Sequence, residues 1–430
     1  MLVAQHTHKR RALWSWACYD FANSAFTTLV VTFIYATYFT QAIAENETDG
    51  TSQWAWAVTI TGIVVALLSP YLGALADRGG LRRRFLLLFT VICVAGSVAL
   101  FFPLEGQVLF ALIVFTITNI AFEMGNVFYN AYLPDLASQE QIGRVSGYGW
   151  GLGYIGGLCC LVVALLGLVQ TENPLFGFGT EAGENIRATN LLVAVWYGLF
   201  ALPLFIWVKE KRSGTLPGAA QLVREANAQL VSTFREIRRR YRQVLRFLIA
   251  RLVYNDGLIT VFAFGGIYAS TTFGFTTEDV IIFGIALNVA AGLGAFVFGH
   301  VDDWLGGRTT IALSLAGLFG FGLLAVLTPS ETWFWVAGLG AGTLAGPNQA
   351  ASRSLLGRFV PEEKQNEFYG FFALSGKFTA FLGPALLGIV VQVTDSPRWG
   401  MATILIFFAI GLVLLFRVDE AQGLAGAKTP

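Results

Sequence analysis

The strongest constraint on this chain is its succession of long apolar runs. A membrane-spanning helix needs about 20 consecutive, mostly apolar residues, and twelve such runs can be drawn here. They lie near 14–43, 54–75, 85–103, 108–133, 145–169 and 190–208, then near 247–270, 280–300, 309–328, 333–353, 367–392 and 400–416. The runs are continuous rather than alternating, which excludes a transmembrane β-barrel. Composition agrees, with 55% hydrophobic and 13% charged residues, against about 25% charged in soluble domains. The expected fold class is all-α integral membrane, with twelve transmembrane helices.

Charge placement sets the expected topology. Of 28 lysines and arginines, all but Arg187, Arg398 and Lys377 fall on one side if both termini are cytoplasmic, as the positive-inside rule requires. Met1–Leu13 is polar and basic and the first run is too long for a signal-peptide core, so no cleavable signal is expected. A net charge of +1 gives no case for nucleic acid. The four cysteines sit inside apolar runs and show neither a disulfide framework nor metal-ligand spacing. No metal and no cofactor are expected.

One charged turn occurs twice. Gly73-Ala-Leu-Ala-Asp77-Arg78-Gly-Gly80-Leu-Arg82 returns as Gly299-His-Val-Asp-Asp303-Trp-Leu-Gly306-Gly-Arg308, 226 residues later. A repeat of about half the chain predicts two pseudo-symmetric six-helix halves, 1–208 and 247–430. Between them, 209–246 reads as a cytoplasmic linker, flexible over 213–218. It continues into a basic amphipathic helix with an apolar stripe at Leu230, Phe234, Ile237, Tyr241 and Val244. Such a helix is expected on the inner leaflet, with partner binding as the alternative.

Polar residues inside the spans carry the functional argument, because a charge at mid-bilayer costs at least about 2.5–3.5 kcal/mol. The first run holds Asp20 and Asn23, on one face at a spacing of three residues. The fourth holds Glu123, Asn126 and Asn130, the seventh Asn255 and Asp256, the tenth Asn348 and Gln349, and the eleventh Lys377. Acids and amides thus favour the first and fourth helices of each half. They either line a hydrated cavity or pair across the bundle, for instance Asp20 or Asp256 with Lys377. Arg251 is expected to snorkel to the surface and His300 to lie in a turn. The glycines of the fifth run (147, 149, 151, 153, 156, 157) and of the eleventh (370, 376, 383) permit close helix contacts, read as tight packing, with a sliding contact between the halves as the alternative.

Together these features resemble the major facilitator superfamily. Tyr19-Asp-Phe-Ala-Asn-Ser-Ala-Phe26, Phe128-Tyr-Asn-Ala-Tyr-Leu-Pro134, Tyr254-Asn-Asp-Gly257, Ser352-Arg-Ser-Leu-Leu-Gly-Arg358 and Phe372-Ala-Leu-Ser-Gly-Lys377 further resemble its vacuole-effluxer branch. The first turn departs from the superfamily pattern at Leu81, where a basic residue is usual, and the second at Trp304, where arginine is usual. The resemblance implies secondary active transport and, through the branch, efflux of a neutral amino acid. Tyr154 stands where drug–proton antiporters carry a proline, which lowers the drug-export reading.

A zwitterionic solute suits the polar set, with Asp20 or Asp256 for its ammonium and Lys377 or amides for its carboxylate. Glu123 or either aspartate is a candidate carrier of a coupling proton. The two turns, Gly73, Asp77, Arg78, Gly80, Arg82 and Gly299, Asp303, Gly306, Arg308, are read as conformational-switch elements. The expected partners are a small-molecule solute, the lipid bilayer and protons, and a monomer is expected. Export of another metabolite or drug, or a non-transporting receptor or scaffold, are the alternatives. No nucleophile–base set or nucleotide loop points to an enzyme.

Overall fold

A computed structural model describes residues 2–171, 173–209 and 218–428. Its regular structure is helical, in fifteen principal helices. They are α1 (Leu2–Ala25), α2 (Glu47–Gly79), α3 (Arg82–Ala99), α4 (Val108–Asn130), α5 (Ile142–Ala164), α6 (Glu184–Trp207), α7 (Ala219–Arg239) and α8 (Arg242–Phe273). They continue as α9 (Thr277–Leu305), α10 (Gly307–Leu327), α11 (Glu331–Phe359), α12 (Gln365–Lys377), α13 (Leu382–Thr394), α14 (Pro397–Leu415) and α15 (Glu420–Lys428).

Among the described residues, ten helical stretches are long and apolar enough to cross a membrane. The runs expected near 85–103 and 333–353 are helical as α3 and α11 but fall short on composition. Arginines 82–84 open α3, and glycines, tryptophans and amides dilute α11. The first run is a mosaic: beyond α1 it widens into π turns at Phe26–Phe33 and Phe39–Ile43, around a short α segment at Tyr35–Tyr38.

The chain forms two compact units. The first comprises Met1–Leu68, Gly79–Asn130 and Leu152–Leu216, and the second Ser69–Arg78, Ala131–Gly151 and Pro217–Pro430. In the first, α1 packs on α6 and α3 on α4, around stacked rings of Trp16 and Tyr129 4.7 Å apart. The Tyr19 hydroxyl bonds Thr90 (2.7 Å) and Tyr197 (2.8 Å). In the second, α8 packs on α14, and α11 on both α9 and α10. An aromatic cluster of Tyr268, Phe275, Phe283 and Phe334 fills one end.

The linker expected at 213–218 lies, except for Gly218, outside the described residues. The basic helix forms as α7, but its covered face is turned to protein. Ala226, Gln229, Thr233 and Ile237 are buried, while Arg235, Arg238 and Arg239 are exposed. The expected apolar stripe does not run along one helix, because the chain turns at Arg240–Tyr241 and Val244 belongs to α8. Tyr241 packs its ring on Phe368, 5.1 Å away. Two further expectations are corrected. His300 is helical within α9, where it meets the Phe296 carbonyl (3.1 Å) and Tyr148 hydroxyl (3.2 Å). Arg251 points inward rather than snorkelling: its guanidinium donates to Phe372 O (2.7 Å) and Ser375 Oγ (2.9 Å) and stacks on the Phe372 ring.

Candidate functional site

Both glycine–aspartate turns end on the start of another helix within the second unit. Asp77, near the end of α2, accepts the backbone N–H of Asn366 (3.1 Å) and of Glu367 (2.9 Å), and the Asn366 side-chain amide at 2.6 Å. It thereby caps α12, whose first N–H groups have no partner inside the helix. Asp303, near the end of α9, accepts the Gly143 N–H at 2.8 Å and pairs with Arg144 at 3.1 Å, capping α5. Gly73 and Gly299 lie one turn earlier, and each makes its cap geometrically possible. A Cβ at Gly73 would collide with the backbone of Asn366 and Glu367, and one at Gly299 with that of Gly143 and Arg144. Gly80 (φ 57°) and Gly306 (φ 87°) take the positive φ that reverses the chain. Arg78 is exposed, Arg82 is half-buried at the start of α3, and Arg308 donates to Phe416 O at 3.1 Å.

The second turn carries more than the sequence pattern indicates. Asp302 is buried and pairs with Arg358 at 2.6 Å, and Ser354 donates to its other oxygen. Arg358 also lies 3.6 Å from Asp303 and 3.9 Å from Glu420. Glu420 accepts the N–H groups of Gly307 and Arg308, both at 3.0 Å, and so caps α10. Nearby, Arg353 donates to Ser146 Oγ (2.9 Å) and Ser146 O (2.6 Å), tying α11 to α5.

The polar residues of the spans gather separately in the two units. In the first, Asn23 of α1 donates to Asn126 of α4 at 2.9 Å. Asp20 and Glu123 stand one turn earlier on the same helices, half-buried, and Asn130 ends α4. In the second, Gln349 of α11 donates to Asn255 of α8 (3.1 Å), which donates to the carbonyl of Gly376 on α12 (3.1 Å). Each unit thus joins its first and fourth expected spans through an amide pair. Asn348 is not part of this arrangement: it turns to Ser314 of α10, at 2.9 Å.

The eleventh span is broken where these groups meet. Helix α12 stops at Lys377, and α13 begins at Leu382. After the last helical bond, Phe378 N to Leu374 O, the backbone closes turn-type bonds, Ala380 N to Lys377 O and Leu382 N to Thr379 O. Pro384 explains the break, since it lacks the N–H that would bond the carbonyl four residues back. The break lies against α8: Thr379 donates to Leu252 O at 3.1 Å, and a Cβ at Gly383 would run into Thr260 and meet the Asp256 carbonyl. Asp256 itself is 2% exposed. Neither of its carboxylate oxygens closes a hydrogen bond, although the Gly383 N–H at the start of α13 is turned toward it.

The sequence model described as "Vacuole effluxer Atg22 like" matches residues 42–144 and 137–428. The chain belongs to this family. Among its relatives, the uncharacterized MFS-type transporter YxiO of Bacillus subtilis (strain 168) is 28% identical over 409 residues, covering 94% of each chain. Autophagy-related protein 22 of Coccidioides immitis (strain RS) is 23% identical over 444 residues, covering 85% of this chain and 72% of its own. Among solved structures, the proton:xylose symporter XylE superposes with a TM-score of 0.74 over 97% of each chain at 14% identity. That identity level shows the fold alone: the Atg22-like chain has the major facilitator fold. Its homologues are multi-pass membrane transporters, not enzymes.

Proposed function

We propose that the chain is a secondary transporter that moves a small polar solute by alternating access, and that an amino acid is the substrate class to test first. In this reading α3 and α11 supply the two spans that hydropathy leaves out, giving twelve in two six-helix halves, with both termini cytoplasmic. The carrying observation is the buried Asp256 carboxylate at a broken helix, with the Gly383 N–H turned toward it but neither oxygen in full hydrogen-bond geometry. A carboxylate buried in the bilayer is costly, and a cation arriving at it, a substrate ammonium or a proton, would offset that cost. Broken helices whose ends face the solute are a recurring device of secondary transporters. Lys377, the last residue of α12, then offers a counter-charge for a substrate carboxylate, and the Asn255–Gln349 pair offers neutral hydrogen bonds. Asp20, Asn23, Glu123 and Asn126 form the corresponding set in the first half. Asp77 and Asp303 act in switching, by holding helix starts in one of the two states. Efflux as the direction follows from the family's description.

The test is uptake and exchange of a labelled compound panel by proteoliposomes, with and without a pH gradient. Lys377→Met is expected to weaken carboxylate-bearing substrates about tenfold, the scale of one lost charge-assisted bond, and to spare their esters. Asp256→Asn is expected to abolish accumulation driven by the gradient while exchange persists. Normal accumulation by both variants would remove this site from the mechanism.

A further inference from the structure

Glu367 takes part in two contacts at once. Its backbone N–H is one of the amides capped by Asp77, at 2.9 Å. Its side chain is fully buried and held by α7, with Oε2 accepting from Gln229 (2.8 Å) and Thr233 (3.0 Å). One turn before, Lys364 reaches the Thr233 hydroxyl (3.1 Å) and pairs with Glu236 (2.9 Å). A helix outside the apolar spans therefore grips, by its side chain, the same residue whose backbone forms the Asp77 contact.

The chemistry of this grip favours reversibility. Glu367 Oε1 has no hydrogen-bond partner, so the docked state leaves part of a buried carboxylate unsatisfied, a cost that water would relieve. Among the described residues of α7, the buried positions that undocking would uncover are Ala226, Gln229, Thr233 and Ile237, with Leu230 half-buried beside them. Half of those buried positions are polar, so water can replace part of what they lose. The polar part of the docking includes two hydrogen bonds to Glu367 and the Lys364–Glu236 pair, contacts of the kind that a two-state element makes and breaks.

We propose that α7 is a strap on the Asp77 contact: docked, it holds the first turn of α12 under its cap, and undocked, it lets that turn leave. The proposal rests on the reading of Asp77 as a switch residue. Hydrogen–deuterium exchange of the full chain in nanodiscs tests both, read on peptides covering 362–372. Asp77→Asn should speed exchange there about tenfold, and so should the double variant Gln229→Ala/Thr233→Val. Combining the two should give clearly less than the product of their separate effects, because both release the same turn. Thr233→Ser, which keeps the hydroxyl, should exchange like the parent. If Asp77→Asn speeds exchange and the double variant does not, the strap is wrong and the switch reading survives. No change with Asp77→Asn overturns the switch reading and the strap with it. Multiplicative effects in the combined variant also overturn the strap.

Discussion

The two copies of the glycine–aspartate turn cap a helix in the same way and are anchored very differently. Asp77 accepts two backbone amides and one asparagine side chain at the start of α12, and the position before it is Ala76. The equivalent of Ala76 in the second copy is Asp302, buried and paired with Arg358, while Glu420 caps the helix that follows. The first copy therefore lacks the buried acid that the second copy carries beside its capping aspartate. The second is a cap set into an ionic network, where each charge depends on another for its burial. If the turns act in switching as proposed, removing the Asp302–Arg358 pair and removing the Asp77 cap should have different consequences.

The largest way to break the comparison is to strip the second turn of its network. Arg358→Met would leave Asp302 buried without its counter-charge, a change expected to cost about 3–5 kcal/mol. It should appear as a large fall in the thermal unfolding temperature of the purified protein, and adding Asp302→Asn should recover most of it. An intermediate effect is expected at the first turn. Asp77→Asn should cost about 1–2 kcal/mol of capping and change the switching rate roughly tenfold, leaving folding and substrate binding in detergent near wild type. Loss of binding with an unchanged switching rate would overturn the assignment. The smallest effect sharpens the comparison at its sequence difference: Trp304 is 82% exposed, so Trp304→Arg, which copies Arg78, should shift unfolding by less than about 0.5 kcal/mol. A larger shift would mean that the aromatic side chain has a role of its own at this turn.

The turns are legible in the sequence because a charged, glycine-bearing segment between two apolar runs can hardly continue either helix, and its recurrence marks it. Their partners are not. Arg358 and Glu420 read as ordinary charges at helix ends, and nothing local joins them to Asp302 or to the start of α10, 56 and 113 residues away. The amide residues stand out by the cost of burying them, but pattern alone does not separate Asn255–Gln349, which pair, from Asn348, which turns to Ser314. The broken eleventh span has a signal in Gly376 and Gly383-Pro384, whose glycines read equally well as a smooth packing face. Arg251 defeats a reading that counts depth along the helix, because the side-chain direction that buries it against Phe372 follows only from packing. The basic helix is visible in its charge pattern, whereas the partner of its covered face, Glu367, lies 138 residues beyond Gln229 and 134 beyond Thr233.

The π turns of the first run bear on how this chain compares with relatives of slightly different length. A π turn closes its hydrogen bond over one residue more than an α turn does, as in Ile34 N to Leu29 O and Ala44 N to Phe39 O. Residues 26–43 therefore carry surplus residues that a helix can shed by tightening to α, with the segments on either side keeping their facing. The stretch before them has no such slack, since Tyr19 and Asn23 each meet a fixed partner. Gaps in an alignment of this span belong in 26–43, and one drawn earlier would rotate the wrong residues towards Asn126.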